Sequence, residues 1–205
     1  MAKTAKKRKK CEKIQLTGNA RRKSKIKMRK DGLREKNIRK TRVICVTGSV
    51  ASGKTTLANE LVKKLKWQYV DVNKIIEMFG EVVVGYDRKM KCKEIDVKKL
   101  VKVLLDVIKK SKWNLVIDSH LSHFIPASYV DRCVVCSCDL HKMKKRLEKR
   151  GYSRLKISEN IEAEVFDVCC VEALELGHEV VCVDCSSKVN IDNIDNVAKR
   201  LNLNK

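Results

Sequence analysis

From residue 42 onward, short and wholly apolar runs alternate with longer stretches whose apolar residues recur every three or four positions. The apolar runs predict five strands: Val43-Ile44-Cys45-Val46, Tyr69-Val70-Asp71-Val72, Leu115-Val116-Ile117-Asp118, Cys133-Val134-Val135-Cys136 and Val180-Val181-Cys182-Val183. Between them the spacing predicts helices over Thr55–Leu65, Asn73–Met78, Asp96–Lys110, Leu140–Arg150, Ser158–Glu175 and Ile191–Leu201. In the third of these, Val97, Leu100, Val101, Leu104, Leu105 and Ile108 share one face. Strands without polar alternation are buried on both sides, and strands separated by helices pair in parallel. Residues 42–205 are therefore expected to fold as a three-layer α/β domain around a parallel sheet.

Residues 1–41 break this pattern. Ile14, Leu16, Ile26, Met28, Leu33 and Ile38 lie scattered among positive charges and could not build a core. Such a segment does not offset its ordering entropy and is expected to be disordered until it meets a polyanion, with Arg21 to Lys36 turning helical on contact. The charge is concentrated there. The whole chain carries 47 Lys and Arg against 25 Asp and Glu, a net +22, and residues 1–42 supply +16 of it. That imbalance points to a tail that binds a polyanion, RNA above all, attached to a mildly basic domain. A start further downstream, for instance at Met28, is the alternative account of the tail.

The rest of the composition excludes several classes. With 43% hydrophobic residues the chain can bury a core. No run reaches the ~18 apolar residues of a membrane helix, and Met1 to Lys10 lead into no apolar signal segment. No membrane association is expected, and ten cysteines without an export signal point to a reducing cytoplasmic setting. Cys133-x-x-Cys136-x-Cys138 and Cys182-x-x-Cys185 have a spacing that can hold zinc or form a redox pair. They fall in or beside predicted strands, however, which favours plain buried or strand-end thiols. Aromatics make up only 4%, so base-stacking platforms are not suggested.

The sharpest chemical signal is Gly48-Ser49-Val50-Ala51-Ser52-Gly53-Lys54-Thr55, a G-x-x-x-x-G-K-[ST] phosphate loop with a buried strand before it and a helix after it. Its backbone N–H groups would wrap the phosphates of ATP, Lys54 would bridge the β- and γ-phosphates, and the Thr55 hydroxyl would bind Mg²⁺. Asp118 ends the third strand, where ligands lie in parallel α/β folds, so its carboxylate is a candidate for the Mg²⁺ shell. His120 could orient or deprotonate an attacking water or hydroxyl. The alternative has Asp118 capping the next turn and His120 on the surface. Further on, Arg146 to Ser153 form a basic helix end, a glycine break and a restart. Arg150 on such a flap could close over the triphosphate, or the segment could be an ordinary basic C-terminal turn. His141 and His178 are expected at the surface; for His123, holding the loop after Asp118 and touching nucleotide both remain open.

Three segments together resemble a known family: Gly48 to Thr56, Asp118-Ser119-His120-Leu121-Ser122-His123, and Arg150-Gly151-Tyr152-Ser153 with Lys156, Glu159-Asn160 and Ala163-Glu164. They are similar to the archaeal and eukaryotic nuclear adenylate kinases that double as small-ribosomal-subunit assembly ATPases. The resemblance runs from about Arg42 to the C-terminus. It implies a P-loop, nucleoside monophosphate kinase-like core with a five-stranded parallel sheet, an NMP-binding region around 69–92 with Asp71 as a weak candidate, and a short lid around 149–159. It further implies an ATP site at Ala51, Gly53, Lys54, Thr55, Thr56 and Arg150, with Asp118 and His120 serving hydrolysis. The implied activity is phosphoryl transfer from ATP to an NMP, AMP foremost, together with ATP hydrolysis. A transient complex with a small-subunit platform protein during late rRNA maturation is also implied. Two departures stand out: Ala51 replaces the usual loop glycine, and the basic tail lies outside the family pattern.

Overall fold

The computed structural model describes residues 41–187 and 191–200. The basic extension, its proposed helix and Leu201 lie outside the described residues. The chain enters through β1 (Val43–Thr47) and, after the glycine-bearing loop, α1 (Lys54–Leu65). Next come β2 (Gln68–Asp71), α2 (Val72–Met78) and a hairpin of β3 (Val83–Asp87) and β4 (Cys92–Ile95). Helix α3 (Val97–Lys110) leads to β5 (Leu115–Asp118) and β6 (Arg132–Ser137). Helices α4 (Leu140–Lys149), α5 (Arg154–Val165) and α6 (Val168–Glu175), then β7 (Val180–Asp184) and α7 (Ile191–Arg200), complete the order.

Five strands form one parallel sheet in the order β2-β5-β1-β6-β7. All five residues of β1 are buried, as an uninterrupted apolar run at the sheet centre requires. On one face Ile44, Val46, Val116 and Val134 pack against Leu57, Ala58 and Leu61 of α1 and Ile194 and Val197 of α7. Truncating a fully buried leucine such as Leu61 to alanine costs ~2–5 kcal/mol in such a setting. Two side-chain contacts fix where β1 begins: Arg42 N donates to Asn114 Oδ1 at 2.9 Å and Val43 N to Asp131 Oδ2 at 2.7 Å. Because β1 lies between β5 and β6, chain connections leave it in opposite directions, and a crevice opens at the carboxyl ends of these strands.

All five predicted strands are present. Two features differ from the sequence reading. The single helix expected over Ser158–Glu175 is two, broken at Asp167, whose φ of 52° lies in the left-handed region. Aspartate tolerates that conformation better than most residues, so the break carries neither glycine nor proline. The other difference is the β3–β4 hairpin, which the sequence reading lacked. Its turn is made by Asp87, whose Oδ1 accepts from Lys89 N at 2.7 Å and Met90 N at 2.9 Å, with Lys91 at φ 47°.

Candidate active site

The loop between β1 and α1 is held open as an anion cradle by its backbone. Gly53 has φ 116°, and a Cβ there would stand 2.8 Å from Cys185 Cβ; a Cβ on Gly48 would overlap the Cys136 carbonyl. Both positions therefore require glycine. Ala51 also sits left-handed, at φ 66°, so the alanine bears strain that a glycine there would avoid. Ser52 is fully buried and its hydroxyl has no hydrogen-bond partner. A buried hydroxyl without a partner is costly, and a phosphate oxygen in the cradle would satisfy it. Lys54 Nζ donates to the loop's own Ser49 carbonyl at 2.8 Å. Burial lowers its ammonium from the ordinary value, against the opposing pull of the Cys136 thiol and Asp118. An incoming polyphosphate would supply the counter-charge it lacks.

Next to the cradle, Asp118 is buried at the end of β5, and one of its oxygens accepts two hydroxyls. Thr55 Oγ1 donates to Asp118 Oδ2 at 2.6 Å and Tyr69 Oη to the same atom at 2.9 Å. Burial, and then the Asp118 hydrogen bond and charge, push the Tyr69 phenol well above its ordinary value, so it stays a donor. A hydroxyl and a carboxylate beside a phosphate cradle are hard oxygen donors of the kind Mg²⁺ takes. Thr55 and Asp118 thus fit that ion. His120 is exposed and lines the same cleft. The surrounding protein, and next Lys54 and His123, lower its imidazole to about 4. The ring is therefore neutral at pH 7.

Behind the cradle runs a second polar chain. His123 is buried, with Nδ1 2.8 Å from Thr47 Oγ1 and Nε2 2.9 Å from Glu172 Oε2. Nε2 donates to the carboxylate and Nδ1 accepts from Thr47, which is the neutral tautomer. Burial lowers this imidazole too, with Glu172 opposing. His123 therefore secures the loop after Asp118 to β1 and α6 and does not line the cleft. His178, expected at the surface, is buried: its Nε2 donates to the His123 carbonyl at 2.7 Å. The expectation failed because Gly177, at φ 81°, turns the chain inward directly after α6.

The cleft measures about 1060 Å³ and brings together Ala51, Gly53, Lys54, Thr55, Thr56, Asp118, His120 and Arg150. Asp71 is not among its lining residues. Its Oδ1 instead caps α2 by accepting from Asn73 N at 2.9 Å, and Asn73 is the residue that lines the cleft. Across from the cradle, Glu77, Met90 and Lys93 from α2 and the hairpin form a second wall. Lys156 of α5 reaches that wall: its Nζ donates to the Met90 carbonyl at 2.9 Å and lies 4.5 Å above the Tyr152 ring.

Three contributors were given no role by the sequence. Arg146 donates to the carbonyls of Ala51 (3.1 Å), Ser52 (3.2 Å) and Cys185 (3.1 Å), tying the cradle to the segment after β7. Its spacing of four from Arg150 places both on one helix face, which was the available signal. Glu164 is buried and accepts from Cys138 N at 2.7 Å; burial raises its carboxyl, while that bond and Ser49 pull it down. Tyr69 reaches Asp118 only because β2 pairs with β5, a juxtaposition no linear spacing shows.

The sheet order, the cradle after β1 and the carboxylate ending β5 define a P-loop kinase fold. Solved structures agree at the level of fold. A shikimate kinase from Bacteroides thetaiotaomicron superposes with TM-score 0.51 over 80% of this chain and 96% of its own, at 14% identity. A sugar kinase from Janibacter reaches 0.52 over 79% and 95%, also at 14% identity. An AAA domain family profile matches residues 44–167. Among curated relatives, the "putative adenylate kinase" of Thermococcus onnurineus is 38% identical over 146 residues, 71% of this chain and 76% of that protein. The adenylate kinase isoenzyme 6 homolog of Caenorhabditis elegans is 32% identical over 145 residues, 71% of this chain and 79% of that protein. The chain belongs to this adenylate kinase family, with its AAA-type P-loop domain.

Proposed function

We propose that the protein is a magnesium-dependent nucleoside monophosphate kinase that passes the terminal phosphoryl group of ATP to an NMP, AMP foremost, and also hydrolyses ATP. The cleft carries this reading. At about 1060 Å³ it stands at the upper end of the ~300–1,000 Å³ usual for ligand pockets, and its two walls differ in character. The cradle end suits a triphosphate. The wall of Asn73, Glu77 and Met90, within the acceptor region at 69–92, and of Lys93 just beyond it suits a second nucleotide. Catalysis is then positioning and charge stabilisation with no covalent intermediate. Loop N–H groups and Lys54 hold the β- and γ-phosphates. Thr55 and Asp118 would hold a magnesium ion, which when bound would neutralise phosphate charge. Tyr69 keeps Asp118 oriented. Neutral His120 orients the attacking hydroxyl or water, and Arg150, on the lid at 149–159, closes on the triphosphate. The full chain given ATP and AMP should form ADP; no ADP above a Lys54→Ala background would refute the proposal.

A second reading is favoured by the +16 concentrated in residues 1–42. In it the same ATPase acts in the cytoplasm during late small-subunit ribosome maturation. The basic segment holds rRNA by counterion release, and a platform protein of the small subunit binds transiently. Deleting residues 1–40 should weaken RNA binding and flatten its salt dependence, and an unchanged slope would remove the segment from the mechanism.

A further inference from the structure

Thiols gather on the sheet face away from α1. Cys45 of β1 and Cys133 of β6 stand at paired positions, Cys182 lies on the edge strand β7, and α6 brings Cys169 and Cys170 over them. Within this group Cys170 Sγ is 3.8 Å from Cys182 Sγ. Cys170, on α6, is buried, while Cys182 is exposed. A disulfide needs sulfurs ~2.05 Å apart, so side-chain rotation alone has less than two ångströms to close. The two residues are twelve apart and belong to different elements, which is why neither Cys-x-x-Cys motif paired them.

We propose that Cys170 and Cys182 form an oxidative modification site, a dithiol that takes a hydroperoxide and closes to a disulfide joining α6 to β7. The exposed Cys182 sulfur attacks one peroxide oxygen. An S–O bond forms, the O–O bond breaks, and the leaving oxygen departs as water with the thiol proton. Cys170 sulfur then displaces the hydroxyl from the Cys182 sulfenic acid. An S–S bond forms, the S–O bond breaks, and the Cys170 proton leaves in a second water. Two thiols are oxidised and one hydrogen peroxide is reduced to two waters.

The surroundings make the site selective. Cys45, Cys133 and Cys136 are fully or almost fully buried, and burial raises each thiol well above its ordinary value, which keeps them unreactive. The competing pair is Cys136 with Cys185, where a hydrogen bond from Cys136 lowers the Cys185 thiol; Cys185 borders the cleft, but both residues are almost fully buried, whereas Cys182 is exposed. Closure at Cys170 and Cys182 has a structural consequence. Helix α6 also carries Glu172, which holds His123, and Cys169, whose thiol bonds Thr47. The crosslink would thus pin the helix that supports the end of β1.

The test uses the reduced full chain exposed to hydrogen peroxide, digested without reductant by a protease cutting after Glu172 and Glu179, and examined by mass spectrometry. The expected product links the Cys170 and Cys182 peptides with a loss of two hydrogens. It is retained in Cys169→Ser and Cys185→Ser variants and lost in Cys170→Ser and Cys182→Ser. The oxidised protein should melt about 5–10 °C higher, reversibly with a thiol reductant. A Cys136–Cys185 linkage, or Cys182 overoxidised without a crosslink, would overturn the proposal, and neither result bears on kinase activity.

Discussion

Replacing Tyr69 with phenylalanine removes one oxygen and little else. That oxygen donates to Asp118 Oδ2 at 2.9 Å, beside the Thr55 hydroxyl at 2.6 Å. A hydrogen bond to a charged acceptor contributes ~1.5–3 kcal/mol. Tyr69 is half-buried and Asp118 retains a second donor, so the lower part of that range applies, ~1.5–2 kcal/mol. The loss should then appear in the transition state as a ten- to thirty-fold fall in kcat/KM, at ~1.4 kcal/mol per tenfold. The assay is ADP formation from ATP and AMP at saturating magnesium, well below the melting temperature of either protein. A kcat/KM within twofold of the parent would show that the phenol does not position Asp118 during turnover.

Other substitutions probe the cradle. Gly53→Ala places a Cβ 2.8 Å from Cys185 Cβ at φ 116°; it should abolish ATP binding in calorimetry and cost ~1–3 kcal/mol in a urea melt. Ala51→Gly relieves a left-handed alanine at φ 66° and should stabilise by up to ~1 kcal/mol, with ATP binding preserved. His120 sets a pH dependence: its imidazole sits at about 4 when folded against an ordinary 6.5. As pH falls, the unfolded chain takes that proton first, so the native state loses stability between about 6.5 and 4. His120→Gln should flatten melting temperature against pH across that window; an unchanged curve would show that the ring does not titrate there.

The sheet was legible because parallel strands buried on both faces leave an uninterrupted apolar run, and β1, β5, β6 and β7 each carry one. The phosphate loop was legible because its glycines, Lys54 and Thr55 are consecutive. What escaped was set by three-dimensional neighbours. Tyr69 meets Asp118 across a strand pair 49 residues apart in sequence, and Glu164 meets the loop through a polar helix with a weak apolar face. His178 looked like a surface residue because a histidine after glycine gives no sign of the carbonyl awaiting it. The β3–β4 hairpin was hidden by Gly85 interrupting its alternation and by a lysine where a turn residue is usual.

The bond from Lys156 to the Met90 carbonyl crosses the mouth of the cleft. An ammonium at such a rim exchanges a carbonyl for water at a cost of only ~1 kcal/mol. It therefore cannot bolt the two walls together. It sets their resting separation, near enough for a long molecule with charge at its middle to be sensed from both sides at once. Thermal motion alone is enough to part them whenever cargo must come or go.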